Sequence, residues 1–421
     1  MTTVDGVDLD AIRRARETAA GVAKHTPVVS SVTLSETVGG TVALKAENLQ
    51  RTGSFKIRGA MNKLSSLAAG ATDGAADRVA DGVADGVRGV PGVTAGSAGN
   101  HAQAIAFAAQ HFGLGCEIFV PAGASIGKIE ACLGFGATVN EVGASLVEAV
   151  EAAKASAAAT GWAFCHPFDD PIVVAGQGAL GLELLDDIAD LALVLVPIGG
   201  GGLAAGTAIA IKSISPAVRI VGVQAAVCAP YSGQPAPVGA VATLADGIAV
   251  KTPGAVTRPL IEHWIDEIVT VDEESIADAM VLLMERAKLY VEGAGAVGVA
   301  ALLAGRVVPA PVGTTCVVLS GGNVDLGVVP GLIRRHENAA GRRLTIFATI
   351  DDRPGGMAQL LTAFAGAGAN LIEVDHVREM LNLRVRETGV QATFEVRSPQ
   401  HAEQVVDAVR SRGYEDLRVL T

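Results

Sequence analysis

Residues 191–212 read LALVLVPIGGGGLAAGTAIAIK: an apolar run, four consecutive glycines and a segment of small, helix-compatible residues. An apolar run of this length that ends at a turn is typical of a strand covered on both faces, as in a parallel sheet. Residues 191–211 carry no charge and are long enough to cross a membrane, but Pro197 and the glycines would break a transmembrane helix in its middle. The stretch therefore predicts a buried strand, a tight loop and a helix, and no membrane span.

Short apolar runs of the same kind recur along the chain. CEIFVP at 116–121, IVGVQ at 220–224 and CVVLS at 316–320 are separated by segments of helical length. Such alternation indicates an α/β architecture with a largely parallel sheet covered on both sides. Between 70 and 92 the pattern is replaced by Ala, Gly, Asp and Val, including ADGVADGV at 80–87, which we interpret as an inserted surface segment.

The C-terminal part of the chain has a different pattern. LTIFATI, NLIEVDHV, GVQATFEVR and EDLRVL predict strands, and GGMAQLLTAFAGAGA and PQHAEQVVDAVRSRG predict helices. Their βαββαβ order is that of a ferredoxin-like split βαβ unit. Glycines in the DRPGG turn at 352–356 and in GAGAN at 366–370 would let backbone N–H groups face a small ligand. The basic, polar stretch at 333–343 is interpreted as a linker.

Composition excludes several classes of function. The chain has 421 residues, 32 Lys+Arg against 44 Asp+Glu and a net charge of −12, so neither nucleic acid nor an anionic membrane is an expected partner. The N-terminus contains acidic residues and no apolar core, which predicts a cytoplasmic protein without a targeting peptide. Five scattered cysteines without a CxxC pair and eight histidines without a close metal-binding pair predict neither disulfides nor a metal site.

The four glycines at 199–202 are a candidate anion site. Glycine lets the backbone approach an anion closely, and the start of the following helix supplies free N–H groups and the positive end of a dipole. The loop lacks the GxxxxGK[ST] lysine and a clean GxGxxG with its acidic residue, so ATP and NAD are poorly supported. A tight packing turn is the alternative interpretation.

Lys56, in KAENLQRTGSFKIRGA at 45–60, is the candidate nucleophile. A partly desolvated lysine has a lowered pKa and exposes a neutral amine that forms Schiff bases, although an isolated lysine is usually an ordinary surface residue. Three further motifs are SAGNHAQ at 97–103, VEGAGA at 291–296 and SGGNVD at 320–325. They fall at predicted strand or helix ends, where ligands bind in open α/β sheets.

With these motifs in order, the sequence resembles the fold-type II pyridoxal-phosphate enzymes, and within them the threonine ammonia-lyases (threonine dehydratases) that carry one C-terminal ACT domain. The resemblance implies a tryptophan synthase beta-like catalytic region of two open twisted sheets over residues 1–332. A smaller subdomain at about 46–145 would be inserted in the larger one, and a linker at 333–343 would lead to an ACT domain, a module that commonly binds amino acids, at 344–421.

The resemblance also implies roles for individual residues. Lys56 would carry pyridoxal 5′-phosphate as a Schiff base and remove the α-proton of the substrate. The other cofactor contacts would be Phe55 beside the ring, Asn100 at the phenolic oxygen, Ser320 facing the pyridine nitrogen and, at the phosphate, Gly199, Gly200, Gly201, Gly202 and Leu203. Ser97, Asn100 and His101 match the loop that receives the substrate carboxylate. A hydroxyl such as that of Ser320 cannot keep the ring nitrogen protonated as a carboxylate would, which favours β-elimination over transamination.

The activity implied is that of a carbon–nitrogen lyase: L-threonine is converted to 2-oxobutanoate and ammonia, feeding isoleucine synthesis, with slower activity on L-serine. The resemblance further implies a homo-oligomer, dimer or tetramer, with isoleucine or valine as effectors at the ACT domain. A lyase that prefers serine or 3-hydroxyaspartate would share all these residues. An amino-acid-sensing protein with a vestigial catalytic half is the alternative from another class.

Five further positions bear on these alternatives. Serine racemases of this group carry a second serine where this chain has Ala98, so racemisation is expected to be weak. Eukaryotic-type racemases place a carboxylate for a divalent cation near the position of Gln224, so no tightly bound metal is expected. Glu292 is interpreted either as a helix cap or as a residue near the cofactor ring. Asp246 and Gly247 are interpreted as part of the rim of the active site or as a common turn.

Overall fold

A computed structural model describes residues 7–76, 89–239, 241–378 and 383–420 of the chain. The chain divides into two compact units, Met1–Asp325 and Leu326–Thr421. The first unit contains, in chain order, α1 (Leu9–Thr18), β1 (Val28–Ser30), α2 (Val32–Val38), β2 (Val42–Lys45), α3 (Lys56–Ala76), β3 (Gly92–Gly96), α4 (Asn100–Phe112), β4 (Gly115–Val120), α5 (Ile126–Gly134), β5 (Thr138–Glu141), α6 (Leu146–Thr160), β6 (Ala163–Phe164), α7 (Pro171–Asp187), β7 (Leu191–Pro197), α8 (Gly202–Ile214), β8 (Arg219–Ala225), α9 (Thr257–Trp264), β9 (Glu267–Val271), α10 (Glu273–Leu282), α11 (Gly293–Leu303) and β10 (Thr314–Val318). The second unit contains α12 (Val329–Ala339), β11 (Arg343–Asp351), α13 (Gly356–Gly366), β12 (Asn370–Val377), β13 (Glu387–Glu395), α14 (Pro399–Arg410) and β14 (Arg418–Leu420).

The larger sheet of the first unit has the strand order β1-β2-β10-β7-β8-β9. Its strands are parallel except that β1 pairs with β2 in the antiparallel sense. The apolar run that begins at Leu191 forms β7, whose residues are buried apart from the half-buried Ala192. Both α8 and α11 pack on β7. The strand, loop and helix predicted for residues 191–212 are therefore confirmed, and no helix among the described residues is long and apolar enough to cross a membrane.

The smaller sheet has the order β5-β4-β3-β6, and all of its strands are parallel. Helices α4 and α6 pack on β3 and β4. The predicted end of this subdomain, near residue 145, is wrong, because α6 and β6 belong to it. With only two residues, Ala163 and Phe164, β6 is too short to be recognised as a strand from an apolar pattern.

The range 70–92, interpreted as an inserted surface segment, begins in a helix and ends in a strand. Helix α3 continues through Ala76 and β3 begins at Gly92, so both ends of this range belong to regular elements. Residues 77–88 lie outside the described residues.

The second unit is a four-stranded antiparallel sheet with the order β12-β13-β11-β14. Along β11 buried and half-buried residues alternate, as expected for a sheet with one covered face. Its core includes α13 and α14, and the rings of Phe364 and Phe394 stack there with centroids 4.2 Å apart. The predicted βαββαβ unit is confirmed.

The interpretation of 333–343 as a linker is wrong for most of its length. Helix α12 covers Val329–Ala339 and β11 begins at Arg343, which leaves residues 340–342 between them. Pro330 lies in the first turn of α12, where a proline is tolerated, and Leu332 is buried. Basic and polar residues are also good helix formers, so composition alone did not distinguish a linker from an amphipathic helix.

The chain crosses between the two sheets of the first unit twice. It leaves the large sheet after β2 and enters the small one through α3, and it returns from β6 through residues 165–170 to α7 and β7. These two crossings, together with the loops at the carboxyl ends of β3, β7 and β10, contain all of the residues to which the resemblance gives a cofactor or substrate contact. This is the position at which open α/β sheets bind ligands.

Candidate active site

Lys56 is the first residue of α3 and lies at the first crossing. Its Nζ donates a hydrogen bond of 2.8 Å to the carbonyl of Pro167, which belongs to the second crossing. The amine also lies 5.2 Å from the centroid of the Phe55 ring. Burial lowers the pKa of Lys56 to about 8, and the carboxylate of Glu292 opposes part of this shift. The amine is therefore more readily deprotonated and nucleophilic than that of an exposed lysine.

The glycine loop, Gly199–Gly202, joins β7 to α8. Gly201 has a φ of +94°, which favours glycine, and a Cβ at Gly200 would overlap the ring of Phe168. The carbonyl of Gly200 accepts hydrogen bonds from the hydroxyls of Thr257, at 2.6 Å, and Tyr231, at 3.0 Å. These close contacts therefore fix the conformation of the loop.

The N–H groups of this loop are available to a ligand. Within the described part of the chain, the N–H groups of residues 199–203 donate to no backbone carbonyl, and α8 has no side-chain N-cap. The side chain of Leu203 is buried in the core, so Leu203 can contribute only its N–H group. Five free donors at the positive end of a helix of 13 residues suit a phosphate group.

A second helix begins at the site from the small sheet. Helix α4 starts at Asn100, and the Ser97 hydroxyl accepts a hydrogen bond of 3.2 Å from the N–H group of Gly99. The predicted residues Ser97, Asn100 and His101 thus lie together at the carboxyl end of β3.

The ring of His101 is turned into the protein. It is buried, and its Nε2 lies 2.9 Å from the carbonyl of Cys165, which can only accept, so Nε2 carries the proton. Burial and, to a smaller extent, the charge of Lys56 lower the pKa of His101 to about 3, so that the ring is neutral. A contribution of His101 to carboxylate binding would therefore come from its backbone N–H group at the start of α4.

Asn100 lies within a chain of side-chain amides. Its Nδ2 donates to Oε1 of Glu292 at 2.7 Å, and its Oδ1 accepts from Nδ2 of Asn323 at 2.7 Å. The Asn323 Nδ2 also donates to the carbonyl of Thr52 at 2.9 Å. We call the Thr52 carbonyl, Asn323, Asn100 and Glu292 the amide chain.

Glu292 is a buried acid beside Lys56. Although Glu292 occupies the N-cap position of α11, its side chain makes no capping hydrogen bond, so the interpretation as a helix cap is wrong. Burial, reinforced by the nearby charge of Asp246, raises the pKa of Glu292 to about 7, against the opposing effect of the hydrogen bond from Asn100. Asp246 itself pairs with Lys128 of α5 at 3.2 Å.

The SGGN segment, residues 320–323, follows β10 and packs against the loop that precedes Lys56. The N–H group of Phe55 donates to the carbonyl of Ser320 at 3.1 Å, and that of Gly322 donates to the carbonyl of Gly53 at 2.9 Å. Ser320 is buried. The structure thus brings the Lys56 loop, the SGGN segment, the start of α4 and the glycine loop to one place.

Gln224 has a structural role in this arrangement. Its Nε2 donates to the carbonyl of Ile198 at 3.2 Å, and its Oε1 accepts from the N–H group of Tyr231 at 3.1 Å. It therefore supports the residues that hold the glycine loop. Among the residues that the structure describes, no group of three or more His, Cys, Asp or Glu side chains could hold a metal ion.

Sequence reasoning missed the segment HPFDD at 166–170, which contacts both Lys56 and the glycine loop. The Asp169 carboxylate accepts hydrogen bonds from the N–H groups of residues 255–257, and the His166 Nδ1 accepts from those of Phe168 and Asp169. A signal was present, because the segment follows a strand of the small sheet, but that two-residue strand was not recognised.

Sequence reasoning also missed a buried group of ion pairs around Arg58, two residues after Lys56. The guanidinium of Arg58 binds the carboxylates of Glu47 and Glu183 with two hydrogen bonds each, between 2.6 and 2.8 Å. Glu183 also pairs with the buried Lys45 at 2.8 Å. Because Glu47 precedes α3 and Glu183 belongs to α7, Arg58 joins the elements on either side of the nucleophile.

The second unit contains a cavity of about 590 Å³ beside the predicted ligand-binding turn. Arg353, Pro354 and Gly355 line it from the turn, and His376 and Arg378 line it from the end of β12. Gly355 has a φ of +87°. The apolar part of the lining comes from Ile350, Met357 and Leu361.

Comparison with known proteins was made by family, sequence and structure. The model of a family described as "Pyridoxal-phosphate dependent enzyme" matches residues 20–321. The L-threonine ammonia-lyase of Thermotoga maritima is 40% identical over 97% of this chain and 98% of its own. The solved structure of a T.th. threonine deaminase is 35% identical, with a TM-score of 0.65 over 76% of this chain and 99% of its own. That of maize serine racemase is 31% identical, with a TM-score of 0.69 over 79% and 99%.

Proposed function

The chain belongs to the pyridoxal-phosphate dependent enzyme family, and from that premise we propose that it deaminates L-threonine to 2-oxobutanoate and ammonia by elimination of the β-hydroxyl as water. The observation that carries this proposal is the half-buried amine of Lys56, which lies at one site with the free N–H groups of two helix starts, α8 and α4. The T. maritima lyase, similar over nearly the whole of both chains, supports the choice of reaction.

The residues present fit pyridoxal phosphate. We propose that Lys56 holds it covalently, that residues 199–203 bind its phosphate through backbone N–H groups, and that Phe55, Asn100 and Ser320 contact its ring. The glycine loop leaves no space for side chains and has five N–H donors without a backbone acceptor among the described residues, which suits a bound phosphate. Once bound, the cofactor withdraws electrons from the α-carbon of the substrate and makes its proton acidic.

Residues of the protein orient the substrate and remove its α-proton. The start of α4 and the Ser97 hydroxyl hold the substrate carboxylate by hydrogen bonds, which orients the α-proton. With its pKa lowered to about 8, the Lys56 amine is a base matched to neutral pH and takes this proton. The Pro167 carbonyl accepts one hydrogen of the amine and fixes its direction. Full burial of Glu292 and partial burial of Lys56 limit the access of bulk water to the amine.

Ala98 supports a lyase rather than a racemase. Racemisation needs a group that returns a proton on the face of the substrate opposite Lys56, and an alanine methyl carries no such proton. Ala98 packs partly buried against the core of the small sheet, beside Ser97. The maize serine racemase is similar in fold, so the fold does not separate the two activities, and our proposal rests on the side chain at position 98.

The cavity of the second unit supports feedback control. Arg353 and Arg378 suit the carboxylate of an amino acid, Asp351 and Asp352 suit its ammonium group, and the apolar lining suits a branched side chain. We therefore expect isoleucine or valine as the effector, a role for the enzyme at the start of isoleucine synthesis, and a dimer or tetramer in solution.

A coupled 2-oxo acid assay tests this proposal. L-threonine, L-serine and L-threo-3-hydroxyaspartate would be compared, with and without isoleucine or valine, for the wild type, Lys56→Ala and the exposed-lysine control Lys154→Ala. We expect the highest kcat/KM for threonine, loss of turnover only in Lys56→Ala, and inhibition by isoleucine or valine. Preference for another substrate would reassign the reaction within the lyases. Absence of turnover on all three, with no Schiff-base absorbance band, would refute an enzyme of this kind.

A further inference from the structure

We propose that Asn323 is a positioning residue that, together with Glu292, fixes the direction of the Asn100 side-chain amide, so that Asn100 offers an N–H group and not its carbonyl oxygen to the phenolic oxygen of pyridoxal phosphate. This inference rests on the proposed function, because it concerns a residue facing the cofactor. It assigns to Asn323 a role that is exerted through Asn100.

The direction of the amide chain is set first at its Thr52 end. The Thr52 carbonyl can only accept a hydrogen bond, so the atom of Asn323 that lies 2.9 Å from it must be the nitrogen. That nitrogen has a second hydrogen, which points at Asn100 over 2.7 Å. The atom of Asn100 that faces Asn323 must therefore be its oxygen.

The Glu292 end of the amide chain favours the same direction of the Asn100 amide. With its oxygen towards Asn323, Asn100 turns its nitrogen towards Glu292, whose Oε1 accepts a hydrogen bond at 2.7 Å. With Glu292 ionised, a reversed Asn100 amide would place oxygen against carboxylate and nitrogen against the Asn323 nitrogen, which breaks two part-buried hydrogen bonds and creates two repulsive contacts. The two ends thus agree on one orientation.

Two glycines leave space for the side chains of the amide chain. Gly53 has a φ of +73°, and a Cβ there would overlap Oδ1 of Asn323. A Cβ at Gly321 would overlap Oε1 of Glu292 and lie 3.1 Å from the Asn100 nitrogen. Thr52 also has a left-handed φ of +65°, which is uncommon for a residue that is not glycine. The local backbone is therefore shaped around these hydrogen bonds.

In this orientation the Asn100 nitrogen has a second hydrogen that it can offer to the cofactor. One hydrogen is donated to Glu292, and the other has no acceptor among the described residues of the chain. A phenolic oxygen that receives this hydrogen bond is stabilised in its ionised form. A reversed amide would present an acceptor and would favour the protonated phenol. These two forms of the bound cofactor absorb at longer and shorter wavelengths, respectively.

The test compares two variants of Asn323 with a matched asparagine elsewhere. Asn323→Asp keeps the shape but cannot donate to Thr52 and Asn100, and Asn323→Ala removes both donors without adding a charge. Asn62 is the control, because its Nδ2 also donates to a backbone carbonyl, that of Ile172, at 2.8 Å. The substrate-free absorbance spectrum and the affinity for pyridoxal phosphate would be measured for holoenzymes, with thermal denaturation to verify folding.

We expect both Asn323 variants to transfer absorbance from the long-wavelength to the short-wavelength band and to bind the cofactor at least tenfold more weakly, while Asn62→Asp keeps the wild-type spectrum. Folded Asn323 variants with the wild-type spectrum and affinity would overturn the inference alone. A wild type that forms no Schiff-base band with pyridoxal phosphate would overturn the proposed function instead, so the two failures are distinguishable.

Discussion

Replacement of Lys56 by methionine should stabilise the cofactor-free protein. Desolvation lowers the pKa of Lys56 from 10.5 to about 8, so below pH 8 the folded state carries a partly desolvated charge at a cost that the unfolded state does not have. At 1.36 kcal/mol per pH unit, this shift corresponds to about 3 kcal/mol. Loss of the hydrogen bond to Pro167 reduces the gain by about 1 kcal/mol, which leaves about 2 kcal/mol at pH 7.

The stabilisation by Lys56→Met should depend on pH with a defined sign. Below pH 8 the lysine is charged in both states and the full difference between Lys56→Met and wild type is present. Between pH 8 and 10.5 the unfolded wild type retains the extra proton, so wild-type stability rises with pH and the difference narrows. Above pH 10.5 the amine is neutral in both states, and the two proteins then differ in stability only by the lost hydrogen bond to Pro167.

Urea unfolding of the cofactor-free proteins, followed by tryptophan fluorescence, measures this difference in the free energy of unfolding. Both tryptophans, Trp162 and Trp264, belong to the first unit, so the signal reports the unit that contains Lys56. Lys154→Met is the control, because this lysine is about half exposed and its replacement should change stability by no more than about 0.5 kcal/mol. A Lys56→Met variant that is no more stable than wild type at pH 7, or a difference that does not narrow above pH 8, would refute a desolvated amine.

Three further predictions follow from packing and charge. Gly200→Ala should weaken pyridoxal-phosphate binding about tenfold or more in a fluorescence titration, because the new methyl group overlaps the Phe168 ring and overpacking costs about 1–3 kcal/mol. Arg58→Met should lower the free energy of unfolding in urea by about 3–5 kcal/mol, since it leaves two buried glutamates without their partner; a loss below about 1 kcal/mol would contradict this. Gly355→Ala should weaken isoleucine or valine binding in calorimetry, because an alanine at a φ of +87° costs about 1–2 kcal/mol. For both glycines the control is Gly331→Ala in α12, where a Cβ meets open space and no loss is expected.

The fold was predictable where a local pattern determines the structure. The run at Leu191–Pro197 could only be a buried strand, and the βαββαβ order of the second unit follows from alternating apolar periodicities. Lys56 and the glycine loop could be proposed from the sequence because the chemistry of an amine and of free N–H groups is carried by short segments. Helix α12 was missed because its charged residues suit a linker and an exposed helix face equally.

The site residues that were missed depend on contacts between distant segments. Asn323 acquires its role from a carbonyl at Thr52 and an amide at Asn100, neither of which is close to it in sequence. The Glu292 side chain looked like a helix cap because only its position in the sequence was visible. Similarly, Phe168 covers the glycine loop through a crossing segment with no apolar periodicity. Such roles arise from the meeting of loops, which a local pattern does not encode.

The two crossings between the sheets bear on how the first unit could move. Any rotation of the small sheet against the large one must pivot on the segments that join them, and the hydrogen bond from Lys56 to Pro167 links one crossing to the other. The Lys56 amine therefore lies close to the axis and would be displaced little, whereas the start of α4, carried on the small sheet, would move farther. In our proposal, such a rotation would move the residues assigned to the substrate carboxylate, while Lys56 and the glycine loop would keep their relative positions.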